Sequence, residues 1–230
     1  MVKIDNIVLP VSVVVPVLNG AAVLPQSLPP VTASVREVIV VDGGSADGTA
    51  SIAEGLGATV IRAPRGRGVQ LAAGAAAANG EWLLFLHADT RLQPGWADAV
   101  RRFTGGEANE RRAACFRLRL DDRNPAARRV ERLAGWRCRR FGLPYGDQGL
   151  LIHRAFYAAL GGFRPVPLME DVDLVRRIGR RNMVMLAADA LTSAARYRRD
   201  GYWARPARNL CLLSLYFLGV PPCWLARLYG

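Results

Sequence analysis

The sequence predicts an α/β domain, a mostly parallel central sheet flanked by helices, followed by a helical, basic C-terminal extension. Three observations carry that expectation. Short β-branched apolar runs recur through the first hundred residues with helix-compatible stretches between them, as in strand–helix–strand crossovers. The runs are apolar without alternation, as strands covered on both faces should be. Polar punctuation follows their ends, where open parallel sheets bind ligands.

The elements follow in order. Residues 11–15 form the first run, between Pro10 and Pro16, and residues 38–41 the second, ending at Asp42-Gly43-Gly44-Ser45. Residues 49–56 read as a helix stopped by Gly57, and residues 59–62 as a short third strand. After the break at residues 64–68, residues 69–79 are alanine-rich and helical, stopped at Asn79-Gly80. Residues 82–86 form a fourth strand that runs into His87-Ala88-Asp89, and residues 95–103 are helical again. Residues 113–120 and 148–152 fit further strands, with an arginine-rich stretch between them at 123–141. Residues 170–180 form a helix that opens on Glu170-Asp171-Val172-Asp173. No linker divides the chain, so residues 1–200 read as one domain and residues 201–230 as an apolar, aromatic tail.

Composition narrows the function classes. The chain has 230 residues, is 51% hydrophobic and 22% charged, which excludes a disordered or collagen-like protein. Its net charge of +12 invites a nucleic-acid partner. The distribution argues against one: the first hundred residues carry six basic and eight acidic side chains, the remainder 25 and 11. Lys3 is the sole lysine, so the excess is arginine, a bias that a GC-rich genome also produces. The four cysteines show neither CxxC pairing nor a histidine at metal spacing, as expected of a reduced, cytosolic chain. The apolar N-terminus is broken by Asp5, Asn6 and two prolines and is not expected to be a signal peptide. Residues 210–226 are interrupted by Gly219, Pro221 and Pro222, too short a run to span a bilayer.

Four groups of residues point to chemistry. Asp89, just beyond a buried apolar strand, suits a hard divalent cation that bridges to phosphate oxygens; His87, two residues earlier, shares its side. Alternatively, Asp89 caps the next turn. The loop at residues 40–49 joins a strand to a helix, with Gly43 and Gly44 letting backbone N–H groups approach a ligand and Asp42 able to accept from a ribose or base. It is neither GxGxxG nor a Walker loop, and alone it could be a capped turn. Arg65, Arg67 and Gln70, at a loop–helix junction, can grip a diphosphate or simply be solvated. Glu170, Asp171 and Asp173 are clustered carboxylates, of which one should carry a raised pKa or a cationic partner, a property suited to a general base. A helix macrodipole also favours acids there. The turn Tyr145-Gly146-Asp147-Gln148-Gly149 could shape an acceptor site.

SVVVPVLNG, VIVVDGGSADGT, LLFLHADT, GDQG and MEDVDLVRRI stand in the order and spacing of glycosyltransferase family 2, and from residue 11 to 199 the chain resembles that family. More narrowly it resembles a bacterial branch of small transferases associated with radical-SAM/selenodomain proteins and arsenosugar biosynthesis. The resemblance implies a Rossmann-like A-type fold and an inverting, metal-dependent enzyme that moves one sugar from a nucleoside-diphosphate sugar to an acceptor hydroxyl, the acceptor lipid-like or a small metabolite. It implies a nucleotide-binding part at about residues 10–105 and an acceptor part at about 106–200. Pro16 and Asn19 resemble the start of the nucleotide pocket and Asp42 the base- or ribose-binding aspartate, with Gly43, Gly44 and Ser45 beside it. Asp89 resembles the last aspartate of the DxD metal motif and Asp171, after Glu170, the catalytic base. His87 stands where the first DxD aspartate is usual, which leaves Mn²⁺ or Mg²⁺ open. Gly43 stands for a second aspartate, which leaves the nucleobase open. The processive QxxRW motif is absent; Arg196-Tyr197-Arg198-Arg199 takes that region as a cationic grip on the diphosphate, Arg196 first.

In residues 123–141 Val130, Leu133, Ala134, Cys138 and Phe141 form an apolar stripe on a basic helix, which fits a core-facing helix or one lying on an anionic membrane, at the cytoplasmic face. The tail carries Trp203, Tyr216, Phe217, Trp224 and Tyr229 among leucines and suits an interface, a dimer contact or docking on the domain. Two rivals remain. A sugar-nucleotide nucleotidyltransferase should have a glycine-rich N-terminal loop ending in a basic residue, where Pro16-Val17-Leu18-Asn19 stands. A basic nucleic-acid-binding protein should lose affinity steeply with salt.

Overall fold

The computed structural model describes residues 8–229; Lys3, Asp5 and Asn6 of the N-terminal segment lie outside them. The chain runs β1 (Leu9–Val17), α1 (Leu24–Ser27), α2 (Pro29–Thr32), β2 (Val35–Asp42), α3 (Thr49–Gly55), β3 (Thr59–Arg62), α4 (Arg67–Ala77) and β4 (Trp82–Phe85). It continues through β5 (Thr90–Leu92), α5 (Trp96–Thr104), β6 (Ala113–Leu120), α6 (Pro125–Phe141), β7 (Leu150–His153) and α7 (Arg154–Ala159). It ends with α8 (Glu170–Ile178), β8 (Met183–Thr192), α9 (Ala195–Asp200), α10 (Ala204–Phe217) and α11 (Pro222–Tyr229).

One eight-stranded sheet, ordered β3-β2-β1-β4-β7-β6-β8-β5, spans the described chain. The β3-β2-β1-β4 half is all parallel, and β6 and β8 are parallel to each other. The antiparallel pairs β4–β7, β6–β7 and β5–β8 belong to the second half. The predicted α/β class, with a mostly parallel sheet flanked by helices, is what the chain adopts. Strand alternation sorts the core. Val11, Val13 and Val15 face one layer with Leu24, Leu28, Val100 and Phe103, whereas Val14, Ile39 and Val41 face the other with Leu71, Ala75, Leu174 and Ile178. Because both layers cover the parallel strands, those strands read as unbroken apolar runs.

The α4 layer depends on close approach. A Cβ at Gly74 would lie 2.8 Å from Val41 Cγ2 and closer still to Val14. Gly74→Ala should therefore destabilise the fold by about 1–3 kcal/mol, although helix propensity alone favours Ala by about 1 kcal/mol. A lower urea midpoint with unchanged slope checks this.

Helix α6 departs in part from the sequence reading, and the tail takes one of the alternatives that reading left open. Val130, Ala134 and Cys138 are buried as predicted, but Leu133 and Phe141 are 55% and 45% exposed. The buried stripe is the one that faces β6, where Glu131 accepts from the Leu120 amide and pairs with Arg119 and Arg128 and Cys138 Sγ lies 3.3 Å from Cys115 Sγ; Leu133 and Phe141 lie off it. The tail folds into α10 and α11 and docks on the domain through Arg205, Leu212, Leu213 and Leu225, leaving Leu210, Leu218, Trp224 and Leu228 outside. Among the described residues no helix is long and apolar enough to cross a membrane.

Candidate functional site

The carboxyl ends of β1 and β2 are stitched together before any ligand arrives. The Asn19 amide donates to Ser45 Oγ, and Asn19 Oδ1 accepts from Ala46 N. Gly20 and Ala21 amides donate to Thr49 Oγ1 and Asp47 Oδ2. Asn19 holds φ 52°, a left-handed conformation that asparagine tolerates better than most residues. Pro16 is buried in β1 opposite Val41.

Of three residues expected to meet a nucleotide directly, Gln70 and Gly43 serve the protein itself and Asp42 has one of its two oxygens engaged. Asp42 is only 2% exposed, and its Oδ1 accepts from the Ser45 amide and hydroxyl. Gln70 is buried; its Nε2 donates to the carbonyls of Val17 and Val41 at 2.8 and 2.7 Å. It ties two strand ends and is not free to grip a diphosphate. The Gly43 amide donates to Val17, and a Cβ there would lie 3.0 Å from the Gln70 amide nitrogen. The glycine therefore serves protein packing. Gly44, at φ 94° with open space beside it, and the half-buried Ser45 remain at the loop surface. Arg65 is exposed and stands apart from the cleft described next.

That cleft, of about 140 Å³, gathers Arg67 from the start of α4, His87 and Asp89 beyond β4, and Asp147 from the turn before β7. Glu170 and Asp171 from the start of α8 and Arg196 from α9 stand in the same lining. Asp42 is outside it. Asp171 is aimed by two backbone donors: Gly146 N to Oδ2 at 2.8 Å and Val172 N to Oδ1 at 2.7 Å. The preceding Met169 holds φ 66°, a strained conformation for a side chain of that size, which turns the chain into α8 at the acidic run. Glu170 is buried and pairs with Arg67 (Nε–Oε1 3.2 Å). Burial raises its pKa against the opposing pull of Arg67. It holds the arginine; its carboxylate is spent on that pair. Asp173, the third acid, pairs with Arg164 and Arg177.

Arg67 also meets His87 Nε2, while His87 Nδ1 lies 4.0 Å from Asp89 Oδ1. Burial, aided by the charges of Arg67 and Arg196, holds the His87 pKa well below the ordinary histidine value, so the imidazole is neutral. Gly146 is required by this crowding, since a Cβ there would lie 2.7 Å from Arg67 Nη2. Gln148, expected at the acceptor site, is fully buried instead. Its Nε2 donates to the Phe116 carbonyl and its Oε1 accepts from Arg137, which stacks on Tyr145. Of the three arginines in α9, Arg198 and Arg199 bond Asp122 and Asp200, leaving Arg196 as the one turned to the cleft.

Asp147 Oδ1 is buried without a hydrogen-bond partner among the described residues. Burial raises its pKa, and the charges of Asp171 and Asp89 add to the shift. A raised carboxyl pKa means the folded state binds the proton more tightly, so stability falls as pH rises through the folded value. Asp147→Asn should remove that cost and raise stability at neutral pH by about 1 kcal/mol, with a flatter pH dependence of the melting temperature.

No motif marks the fourth wall of the cleft. Arg205, Asn209 and Leu212 of α10 and Tyr229 of α11 line it. Arg205, bonded to Asp200 at 2.8 Å and to Tyr229 Oη at 3.2 Å, pins the two helices there.

The donor set suits a divalent cation. Among the described residues no three His, Cys, Asp or Glu side chains converge as a self-sufficient metal cage. Asp89 is instead a carboxylate that pairs with no arginine among the described residues and has the neutral His87 imidazole 4.0 Å away. The Asp89 carboxylate fits a cation that draws its other ligands from phosphate oxygens and water, and His87 Nδ1 would join it once Nε2 carries the ring proton in place of accepting from Arg67.

Comparison with known proteins bears on the family and the fold. A family model described as Glycosyl transferase family 2 matches residues 12–139. Similar folds occur in glucosyl-3-phosphoglycerate synthase from Mycobacterium tuberculosis, crystallised with Mn²⁺, UDP and glucosyl-3-phosphoglycerate: TM-score 0.52, 23% identity, covering 80% of this chain and 70% of that one. S. aureus TarS 1–349 in complex with UDP gives TM-score 0.61 at 15% identity over 80% of this chain and 60% of that one. GalNAc-T7 with UDP, GalNAc and Mn²⁺ gives 0.59 at 16% over 82% and 44%. At these identities the likeness is one of fold.

Proposed function

The chain belongs to glycosyl transferase family 2, and from that premise we propose that it moves a single sugar from a nucleoside-diphosphate sugar to an acceptor hydroxyl, inverting the anomeric carbon. The observation that carries this reading is that Asp89 and Asp171 line one cleft of about 140 Å³. The narrower kinship, with the branch associated with radical-SAM/selenodomain proteins, rests on the sequence motifs alone.

Asp171 takes the proton of the acceptor hydroxyl. The freed oxygen lone pair forms the bond to the anomeric carbon as the bond from that carbon to the diphosphate oxygen breaks on the opposite side. The nucleoside diphosphate leaves with the electron pair. The two backbone amides on Asp171 fix its direction and leave one lone pair on each oxygen for the incoming proton. Asp89 and His87 would hold Mn²⁺ or Mg²⁺, which when bound supplies charge neutralisation to the departing diphosphate. Arg67 and Arg196 add positive charge at the same edge, and Glu170 positions Arg67. Asn19, Gly44 and Ser45 shape the nucleotide side, within about residues 10–105, and Asp42 acts by holding Ser45. The free thiols of all four cysteines are in keeping with a reducing compartment, and we assign the protein to the cytoplasm.

A melting-temperature panel of nucleoside diphosphates, each with Mn²⁺, Mg²⁺ or chelator, tests the donor side. One nucleobase should stabilise the protein more with metal than without. No shift with any of them overturns the reading.

A further inference from the structure

We propose that the apolar groove between α6 and α10 holds the hydrocarbon chain of a lipid-like acceptor, with the acceptor's hydroxyl end in the cleft beside Asp147 and Asp171. The inference rests on the transferase reading above and adds the acceptor's chemical class.

The groove has a volume of about 420 Å³, within the range of sites that bury a small organic molecule. One bank is Leu133, Trp136 and Phe141 of α6; the other is Leu210, Leu213 and Phe217 of α10. Five of these six are strongly exposed, from 45% for Phe141 to 62% for Leu210. Scattered exposed leucines are ordinary, but apolar side chains facing each other across an open channel are not.

Continuity with the cleft singles out the occupant. Tyr145, Asp147, Tyr197 and Asn209 line both the groove and the cleft. A second copy of the chain, or a peptide laid along the groove, would have no need of that opening. A substrate with an apolar chain and a polar end would fill both parts. The partnerless, buried Oδ1 of Asp147 stands at the junction as an acceptor for a hydroxyl proton. The inner end of the groove is polar for this reason, while its walls are hydrocarbon and aromatic ring.

The test is a calorimetric titration with 1-O-alkylglycerols of increasing length, about four to ten carbons, below their micellar concentrations. Affinity should rise by about fourfold per methylene until the groove is full. The double variant Leu210→Asn, Phe217→Ser alters exposed positions outside the cleft, so it should fold normally, flatten that slope, and leave metal-dependent stabilisation by nucleoside diphosphate unchanged. Asp147→Ala should weaken every chain length by about fivefold and keep the slope, because it removes the contact with the polar end alone. A wild-type affinity independent of chain length, or a slope that survives the double variant, overturns the proposal. So does an intercept that Asp147→Ala leaves alone, which would seat the chain in the groove without reaching the cleft. A dimer that the double variant dissociates, with no chain-length slope, would make the groove a contact between copies and likewise overturn it. Nucleotide stabilisation with no slope sinks the groove proposal by itself; absence of nucleotide stabilisation in every form sinks the transferase reading and this inference with it.

Discussion

Asp171→Asn should reduce turnover by about 10²–10⁴-fold while nucleoside-diphosphate affinity stays within a factor of a few. The amide keeps an oxygen to accept the Gly146 or Val172 hydrogen bond but cannot take a proton from the acceptor. Because the loss falls on proton transfer, kcat carries it and donor KM does not. Glu170→Gln is the informative partner. Its carboxylate is buried against Arg67, so that variant should act by loosening the arginine, raising donor KM more than it lowers kcat. Equal, large kcat losses in both would place the base elsewhere in the acidic run.

Asp89→Ala should abolish the metal-dependent part of nucleotide stabilisation. For a ligand at about one hundred times its Kd that stabilisation is about 2.7 kcal/mol, or roughly 5–10 °C in melting temperature for a domain of this size. The effect is large because Asp89 has no deputy: the neighbouring donor is a neutral imidazole, and no third acid or thiol converges with them among the described residues. Among the described residues Asp89 makes no ion pair with an arginine, so the substitution should leave the unliganded melting temperature nearly unchanged.

The sequence made the parallel half of the sheet legible because every strand there is buried on both faces. Residues 59–62 and 113–120 match β3 and β6 end for end. β8 carried no such signal: MVMLAADALT is alanine-rich, interrupted by Asp189, and only half-buried along its length, so neither periodicity nor β-propensity marks it. β5, with three residues, is too short to have a pattern. At the site, the motifs identified the residues that stand at strand and helix ends, Asp89 and Asp171, because backbone geometry alone brings such ends to one edge. Side chains whose partners come from elsewhere were misjudged. Gln70 and Gln148 looked like ligand-binding amides but satisfy carbonyls of Val17, Val41 and Phe116. Those carbonyls acquire their need for a donor only after the chain folds. For the same reason the wall supplied by Arg205, Asn209 and Tyr229 could not be read from a tail whose composition fitted docking, dimerisation or a membrane equally well.

In the proposed mechanism Asp89 and Asp171 serve opposite sides of one reaction in one cleft. The measurement that meets it most directly is the melting temperature of wild type, Asp89→Ala and Asp171→Asn with the preferred nucleoside diphosphate, with and without Mn²⁺. Asp171→Asn should keep the full Mn²⁺-dependent shift although it has lost turnover, and Asp89→Ala should show only the metal-free shift. Loss of the shift in both variants, or its retention in both, would contradict the division of labour and the mechanism built on it.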